Sequence, residues 1–174
     1  MQYFNNFPKI IYDITGRGDF KVVTDLLRRV KVRDGIKNNI SLFDKYNVAD
    51  GQTPEQTSEI LYGSQGYWWV LLLMNNIKDR YYDWPLSVRQ FQTYMTSKYD
   101  NADAIRHYEI TQTSGPTQIQ DNSHLIEVNS THPGATSVTY REYENRLQDK
   151  KRQIQILDKQ YLAAFVEEFL TLIK

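Results

Sequence analysis

The most informative segment of the chain is KYNVADGQTPEQTSEILYGSQGYWWVLLLMNN, residues 45–76. Tyr46 and Val48 alternate as side chains do in a strand, and Asp50-Gly51 is a strong turn dipeptide. The segment ends in a run that is apolar on every side, and a helix of that composition must be buried. We therefore predict a strand, a tight turn and two packed helices in this order.

The ends of both helices carry local signals. Thr53 stands three residues before Gln56, as in a capping box, and Pro54 occupies the first helical position. Gly63 can adopt the left-handed conformation that ends a helix. The second helix is predicted from about Gly66 to Met74, with Asn75-Asn76 as its end.

The adjacent tryptophans Trp68 and Trp69 cannot both face one ligand, because neighbours on a helix point about 100° apart. We predict that Trp69 is buried against Ile60, Leu61 and the Leu72–Leu73 region. Trp68 could then contact a partner protein.

The N-terminal segment mixes short apolar groups with turns. FPKIIYDI looks extended and ITGRGDF looks like a turn. A short helix is predicted next, from the i, i+3, i+4, i+7 spacing of Val23, Leu26, Leu27 and Val30.

Beyond residue 76, Ser87 and Gln90 form a second capping box, and Val88, Phe91 and Met95 are predicted to line one helix face. RHYEI and HLIEV then alternate as two strands.

The C-terminal part continues with a third capping box, Thr139 with Glu142, which opens a helix to about Lys151. RQIQIL alternates briefly, and Asp158 can cap a last helix. That helix has an apolar stripe of Leu162, Phe165, Val166, Phe169, Leu170 and Ile173.

These patterns predict an α+β fold with three regions. Residues 1–44 form an extended interaction segment, residues 45–100 a helical block, and residues 101–174 a small α+β assembly region.

Composition excludes several classes of function. The chain has 174 residues, 21 basic and 21 acidic, so bulk charge gives no reason to expect a nucleic-acid partner. Without cysteine there is no disulfide scaffold, thiolate metal site or cysteine nucleophile. The three histidines are scattered, and no phosphate-binding or nucleophile motif occurs. We predict no enzyme, no cofactor and no metal site.

Other features favour a protein partner. The 13 tyrosines suit protein interfaces. No targeting signal precedes the first strand, and the apolar run 67–74 is far shorter than the roughly 20 residues of a membrane helix. One basic cluster lacks aromatic residues for base stacking and is interpreted as a solvated face or protein contact. It consists of Arg28, Arg29, Lys31, Arg33 and Lys37.

The order of strand, DGQTPEQTSEILYG and YWWVLLLMNN resembles the LysM module, which has a strand, two packed helices and a second strand. The resemblance implies binding of N-acetylglucosamine-containing glycans in a shallow groove. A glycan-binding module is therefore the alternative function. The chain departs from the module after residue 77, where KDRYYDWPLSVRQF leads to a capped helix instead of a strand.

A second resemblance spans nearly the whole chain. The segments YFNNFPKIIYD, LLRRV, YNVADG through DWPLS, YMTSKYDN, YREYEN and DKKRQIQIL, with a terminal amphipathic helix, resemble the baseplate wedge clamp subunit family of T-even-type contractile-tailed phages. The resemblance implies a non-catalytic structural protein that joins neighbouring wedges into the baseplate ring. It implies a virion location, with assembly in the host cytoplasm.

The partners implied are other wedge subunits and the lysozyme-related sheath-initiating subunit, with six copies per baseplate and neither nucleic acid nor membrane. The candidate interface or LysM-like groove comprises Gly51, Gln52, Thr53, Asn75, Asn76, Ile77, Trp68 and Trp84. The candidate C-terminal assembly face comprises Leu162, Phe165, Phe169 and Ile173.

Overall fold

The computed structural model describes the backbone of residues 3–32, 42–112 and 121–174, and it confirms the α+β class with five α-helices and seven strands. The chain forms two compact units. Unit 1 comprises Met1–Trp84 and Arg152–Lys174, and unit 2 comprises Pro85–Lys151. Unit 2 is thus inserted into the sequence of unit 1. The two units are defined by contacts in space, whereas the three predicted regions were defined by sequence patterns. The division into three regions stays a prediction.

Unit 1 contains two separate two-stranded antiparallel sheets. Strands β1 (Lys9–Tyr12) and β2 (Lys21–Thr24) form a hairpin. Strand β3 (Phe43–Asn47) pairs with β7 (Gln153–Leu157), so that Phe43 lies opposite Leu157. The strands predicted around Tyr46 and in RQIQIL are confirmed, and they are neighbours in space although more than 100 residues separate them in sequence.

Helix α1 (Pro54–Tyr62) begins as the sequence predicts. The Gln56 backbone N–H donates to Thr53 Oγ1 at 3.3 Å, and the Thr53 N–H donates to Gln56 Oε1 at 3.0 Å. Pro54 is the first helical residue. A backbone N–H at this position has no partner within the helix, so proline loses no hydrogen bond there. Gly63 then ends the helix with φ of 75°.

Helix α2 (Trp68–Met74) follows a 3₁₀ turn at Gln65–Tyr67, which confirms the predicted second helix. Asn76 leaves it in the left-handed region with φ of 53°, as expected for the end signal.

The core of unit 1 joins α2 to helix α5 (Lys159–Leu172). Trp69 is 2% exposed, and its ring centroid lies 4.4 Å from that of Phe169 and 5.5 Å from that of Tyr3. The predicted burial of Trp69 is therefore confirmed. Leu61 and Leu73 border the same core. The apolar stripe of α5 is covered within unit 1.

The prediction that Ile60 faces inward is wrong. Ile60 is exposed, while the buried positions of α1 are Pro54, Thr57, Ser58 and Tyr62. Small hydroxyl residues occupy the buried face because each can bond to the backbone nearby, Thr57 to the Thr53 carbonyl at 2.9 Å and Ser58 to the Ser64 carbonyl at 2.7 Å.

Tyr62 fastens α1 to the second strand of the β3–β7 sheet. Its hydroxyl donates to the Leu157 carbonyl at 3.1 Å. Burial raises the pKa of Tyr62 to about 12, so the donating proton is retained up to strongly alkaline pH.

In unit 1 the order along the chain is β3, α1, α2 and β7, that is strand, helix, helix, strand. The residues of unit 2 lie between α2 and β7 in the sequence. The helix found in place of a strand after residue 77 is the first element of unit 2. The LysM likeness stays a prediction.

The short helix predicted from Val23 to Val30 is wrong. Val23 belongs to β2, and no helix is assigned between Asp25 and Val30. The spacing of four apolar residues matched a helix by number, but the β-branched pair Val22-Val23 pairs across the hairpin with Ile11 and Ile10.

Unit 2 is a three-stranded antiparallel sheet with two helices, in the strand order β5-β4-β6. The predicted strands and capped helices are confirmed. The elements are α3 (Val88–Lys98), β4 (Ile105–Gln112), β5 (Asp121–Val128), β6 (Thr136–Thr139) and α4 (Tyr140–Arg152).

Two details of unit 2 differ from the predictions. Met95 is buried and Phe91 half-buried on α3, but Val88 at its first turn is exposed. Strand β6 was missed, because Thr136–Thr139 follows a turn cluster and its β-branched alternation is only four residues long.

Replacing Phe169 by Ala is expected to lower the free energy of unfolding of unit 1 by about 3–5 kcal/mol, because the ring fills the space against Trp69. All three tryptophans lie in unit 1, so tryptophan fluorescence during urea unfolding follows this unit alone. Ile60→Ala is the control and should change the value by less than about 0.5 kcal/mol. Equal midpoints for the Phe169→Ala and wild-type chains would contradict the assigned core.

Candidate interaction surfaces

The β1–β2 hairpin exposes apolar side chains, mainly on the face that carries Ile11 and Val22. Ile11 and Val22 are directly opposite each other and 73% and 68% exposed. Ile10 and Val23 form the next pair, whose side chains point to the other face. Cross-strand aliphatic pairs normally cover a core, so this hairpin presents a surface suited to contact with another protein.

The turn of the hairpin is held by one carboxylate. Asp13 accepts hydrogen bonds from the backbone N–H groups of Thr15, Gly16 and Gly18, at 2.9, 2.9 and 2.7 Å. Gly16 and Gly18 have φ of 66° and 87°, which only glycine adopts readily. These bonds, of which the one from Gly18 has the largest effect, hold the pKa of Asp13 below its ordinary value. The exposed hairpin therefore has a defined shape.

The hairpin is anchored to the core of unit 1 on both sides. Phe7 precedes β1 and is buried, and Val32 follows β2 and is buried in the same cluster, with Val30 packed against it. The Asp25 N–H also donates to the Pro8 carbonyl at 2.8 Å, which extends the pairing to the base of the hairpin.

The hairpin was not predicted, although the sequence contains a signal for it. KIIY and KVVT are short β-rich runs, and the segment between them holds two glycines and two aspartates. Two such runs separated by a turn-rich segment are typical of a hairpin with a longer loop.

A groove at the start of α1 is lined by Tyr46, Asp50 and Gln56, among others, and of the predicted groove residues it contains Gly51 and Gln52. Gln52 is buried, and its Oε1 accepts from the Ala49 N–H at 3.0 Å, with the Tyr46 hydroxyl at 3.1 Å. Thr53 is occupied as the helix cap.

Trp84 is also a structural residue. It is buried against Val48 and Ile154, and its indole N–H donates to the Gln52 carbonyl at 2.8 Å. This bond ties the end of unit 1's first segment to the turn before α1. Trp68 is half-buried, with its ring 6.1 Å from that of Tyr3.

The side-chain amide of Asn75 pairs with the backbone of β7 as a neighbouring strand would. Its side-chain amide donates to the Gln155 carbonyl at 2.7 Å, and its carbonyl oxygen accepts from the Gln155 N–H at 2.8 Å. Ile77 is half-buried near Trp84. Of the groove candidates, only Gly51 and Asn76 are exposed. A role for these residues in an interface stays a prediction.

The four residues of the candidate C-terminal assembly face lie in unit 1. Leu162, Phe169 and Ile173 are buried and Phe165 is half-buried in the same core as Trp69. Within unit 1 their apolar surface is already covered. Their proposed part in assembly stays a prediction.

In the basic cluster, Arg28 pairs with Asp25 at 3.4 Å. Arg33 and Lys37 lie outside the described residues.

Unit 2 contains a buried carboxylate that holds α3 to α4. Glu144 of α4 accepts from Lys98 Nζ and from the Tyr99 hydroxyl, each at 2.7 Å. Burial alone would raise the pKa of Glu144, but the hydrogen bonds from Lys98 and Tyr99 outweigh it and the pKa is lowered.

A second carboxylate holds α4 to the sheet. Glu109 of β4 is buried and receives both its bonds from Arg146 Nη1, at 2.8 and 2.9 Å, while Arg146 Nη2 donates to Glu142 at 2.6 Å. His107 Nε2 lies 3.6 Å from Glu109. The Arg146 guanidinium pairs with the buried Glu109 carboxylate, which is how a buried charge is stabilised.

Among the described residues, no group of three or more His, Cys, Asp or Glu is arranged to hold a metal ion. In the same residues, no helix is both long and apolar enough to cross a membrane.

Residues 19–109 match the family model described as Base plate wedge protein 53, which covers more than half of the chain. The chain belongs to this family. No individually curated protein matches it. The match runs from the hairpin through the Trp69 helix to β4, so it includes the exposed strand β2.

Membership of the base plate wedge family gives the chain a structural role in the phage tail baseplate. It confirms the wedge family inferred from YNVADG through DWPLS and the other segments quoted with it. The family assignment does not favour the alternative of a glycan-binding module.

Replacing Glu144 by Gln is expected to lower the stability of unit 2 at pH 7 by about 1–3 kcal/mol, because bonds to an ionised acceptor are lost. The lowered pKa of Glu144 gives the sign of the pH dependence of this stabilisation. Its contribution is present above the ordinary glutamate value of 4.5 and is lost as the pH falls through the folded-state pKa. The difference between variant and wild type should therefore shrink on acidification.

Amide hydrogen exchange of α4 at neutral and acidic pH measures this effect in unit 2. Glu59→Gln on the exposed surface of α1 is the matched control. A constant difference across the acid range would show that the charge of Glu144 does not stabilise the unit.

Proposed function

We propose that this chain joins neighbouring baseplate wedges into a ring through protein–protein contacts, with the β1–β2 hairpin as a docking surface. The observation that carries the proposal is the exposed cross-strand pair Ile11–Val22. The wedge family supplies the context, because a baseplate wedge protein associates with other baseplate components.

The hairpin fits a docking role because it is ordered without being covered. A two-stranded hairpin alone is at best marginally stable in water. Here Asp13 organises the turn, and Phe7 and Val32 hold the base in the core. Leu27, just beyond β2, is 92% exposed. Burying such side chains against a partner contributes roughly 25 cal/mol for each Å² removed from water.

The charge of the segment specifies the partner further. Residues 3–32 contain six basic and three acidic residues, a net charge of +3. Asp13 is engaged by the turn, Asp19 pairs with Lys21, and Asp25 pairs with Arg28. The complementary surface is therefore apolar at its centre and acidic at its rim.

We infer that the partners are other wedge subunits and the lysozyme-related sheath-initiating subunit, with six copies of this chain per baseplate. The chain would meet them in the host cytoplasm and remain in the virion, without a catalytic role. The structural character of the family supports this assignment.

Replacing Ile11 by Asp is expected to reduce the yield of closed baseplate rings by about tenfold or more, because a carboxylate would be buried in the apolar centre of the contact. The change lies on an exposed strand, so the chain itself should remain folded. The measurement is co-expression with the wedge subunits, followed by sedimentation and electron microscopy.

Ile105→Asp is the matched control, because Ile105 is also an exposed isoleucine in a strand but belongs to unit 2. The tryptophan fluorescence of each purified variant establishes that unit 1 is intact. Closed rings at the wild-type yield with Ile11→Asp would show that the hairpin does not join wedges.

A further inference from the structure

The groove at the start of α1 extends along that helix to Glu59 and Ile60. Ile60 is 66% exposed, and the charged residues of the lining are Asp50 and Glu59. The groove is open and has a volume of about 620 Å³. A cavity of about 150 Å³ holds one benzene molecule, so the groove has room for several side chains of a partner.

The two carboxylates of the groove have different surroundings. Asp50 lies 3.7 Å from the Arg152 guanidinium, which compensates its charge within the chain. The nearby Glu55 of α1 is paired with Arg80 at 2.5 Å. Among the described residues, no hydrogen bond or ion pair involves the Glu59 carboxylate. The groove therefore offers a partner one uncompensated negative charge next to an exposed isoleucine.

The backbone around the groove is fixed before any partner binds. The Gln52 side chain accepts from the Ala49 N–H at 3.0 Å, and its backbone carbonyl accepts from the Trp84 indole at 2.8 Å. The capping box of Thr53 and Gln56 holds the first turn of α1. A binding surface that is already ordered loses less conformational entropy on contact.

One face of the β1–β2 hairpin carries groups that match the groove. Side chains two residues apart in a strand share a face, so Lys9 lies on the face of Ile11. The antiparallel register places Val22 opposite Ile11 and Thr24 opposite Lys9. Within the two strands, Lys9 is the one charged residue of this face, since Lys21 belongs to the other. Lys9 is exposed, and in the part of the chain that the structure describes its ammonium group has no partner.

The two surfaces complement each other in charge and in polarity. The hairpin face combines the exposed pair Ile11–Val22 with the cation of Lys9. The groove combines exposed Ile60 with the carboxylate of Glu59. An ion pair beside an apolar contact fixes the register of the two surfaces and disfavours other partners. The groove thus has the apolar and acidic character that the hairpin requires of its partner.

The hairpin and the groove share no residue. Hairpin residues 9–24 precede the groove residues, which lie between positions 46 and 65. A contact between two different surfaces of identical chains is heterologous. It leaves the groove of the first copy and the hairpin of the second open, so the contact can repeat from copy to copy until a ring closes.

We propose that Lys9, Ile11 and Val22 of one copy bind the Glu59–Ile60 groove of a second copy in the neighbouring wedge, with Lys9 paired to Glu59. The inference rests on the proposed function, because it names the partner of the docking hairpin. Each copy then uses its hairpin toward one neighbour and its groove toward the other.

The test is the yield of closed rings on co-expression with the wedge subunits. Lys9→Glu and Glu59→Lys each place like charges in the contact and are expected to lower the yield by about tenfold or more, since every copy in the ring repeats the contact. The double variant restores opposite charges and should recover most of the yield. Lys159→Glu and Glu167→Lys are the matched controls, because they reverse exposed charges elsewhere in unit 1 and should assemble as wild type does.

Zero-length cross-linking of wild-type rings identifies the contact directly. A carbodiimide activates a carboxylate, which the amine of a contacting lysine attacks to form an amide, while the carbodiimide leaves as a urea. Rings assembled from a mixture of unlabelled and ¹⁵N-labelled copies should yield a peptide pair that joins Lys9 of one isotope to Glu59 of the other. Cross-links from Lys9 to other wedge proteins alone would overturn the contact between copies.

The outcomes separate this inference from the proposed function. Wild-type ring yield with either Lys9→Glu or Glu59→Lys, or no recovery in the double variant, would overturn the contact between copies. If Ile11→Asp still prevents closure in that case, the hairpin docks on a different wedge subunit and the proposed function stands. Failure of the wild-type chain to support closed rings would overturn both. Tryptophan fluorescence establishes that unit 1 is folded in every variant.

Discussion

The contact between Trp69 and Phe169 is the constraint on which unit 1 depends. The two rings are 4.4 Å apart between centroids and come from residues exactly one hundred positions apart. Together with the β3–β7 pairing, this contact joins the two sequence segments that make up unit 1. Closing so long a loop has an entropic cost, which a large buried aromatic pair can offset. The β1–β2 hairpin is anchored in the same core through Phe7 and Val32.

The two units achieve stability in different ways. Unit 1 buries a continuous set of aromatic and aliphatic side chains around Trp69. Among the described residues of unit 2, the buried set includes Met95 and Val138 but also the charged Glu109 and Glu144. A buried ion pair contributes little net stability compared with apolar packing, yet it strongly penalises any arrangement that separates the partners. Unit 2 is thus fixed in geometry by its charges, and unit 1 by its core.

Local features of the fold were predictable from the sequence because their causes are local. Thr53 with Gln56, and Ser87 with Gln90, form the capping boxes that their spacing predicts. Long-range choices were not predictable. Nothing in RQIQIL identifies β3 as its partner, and the all-apolar surface of α2 fits many neighbours besides Phe169. Val23 and Val30 fit a helical spacing, but Val23 instead pairs with Ile10 across the hairpin.

The insertion of unit 2 also sets the order in which the chain folds on the ribosome. Pro85–Lys151 leaves the ribosome as a complete unit, whereas Trp69 must wait for Phe169 and β3 for β7. At roughly 5–20 residues per second, this wait lasts on the order of ten seconds. During that time the apolar surface of α2 lacks its cover, so nascent chains are open to chaperones and to misassociation. Unit 1 is completed only after α5 has been synthesised, so a chain that stops before Phe169 lacks the partner of Trp69.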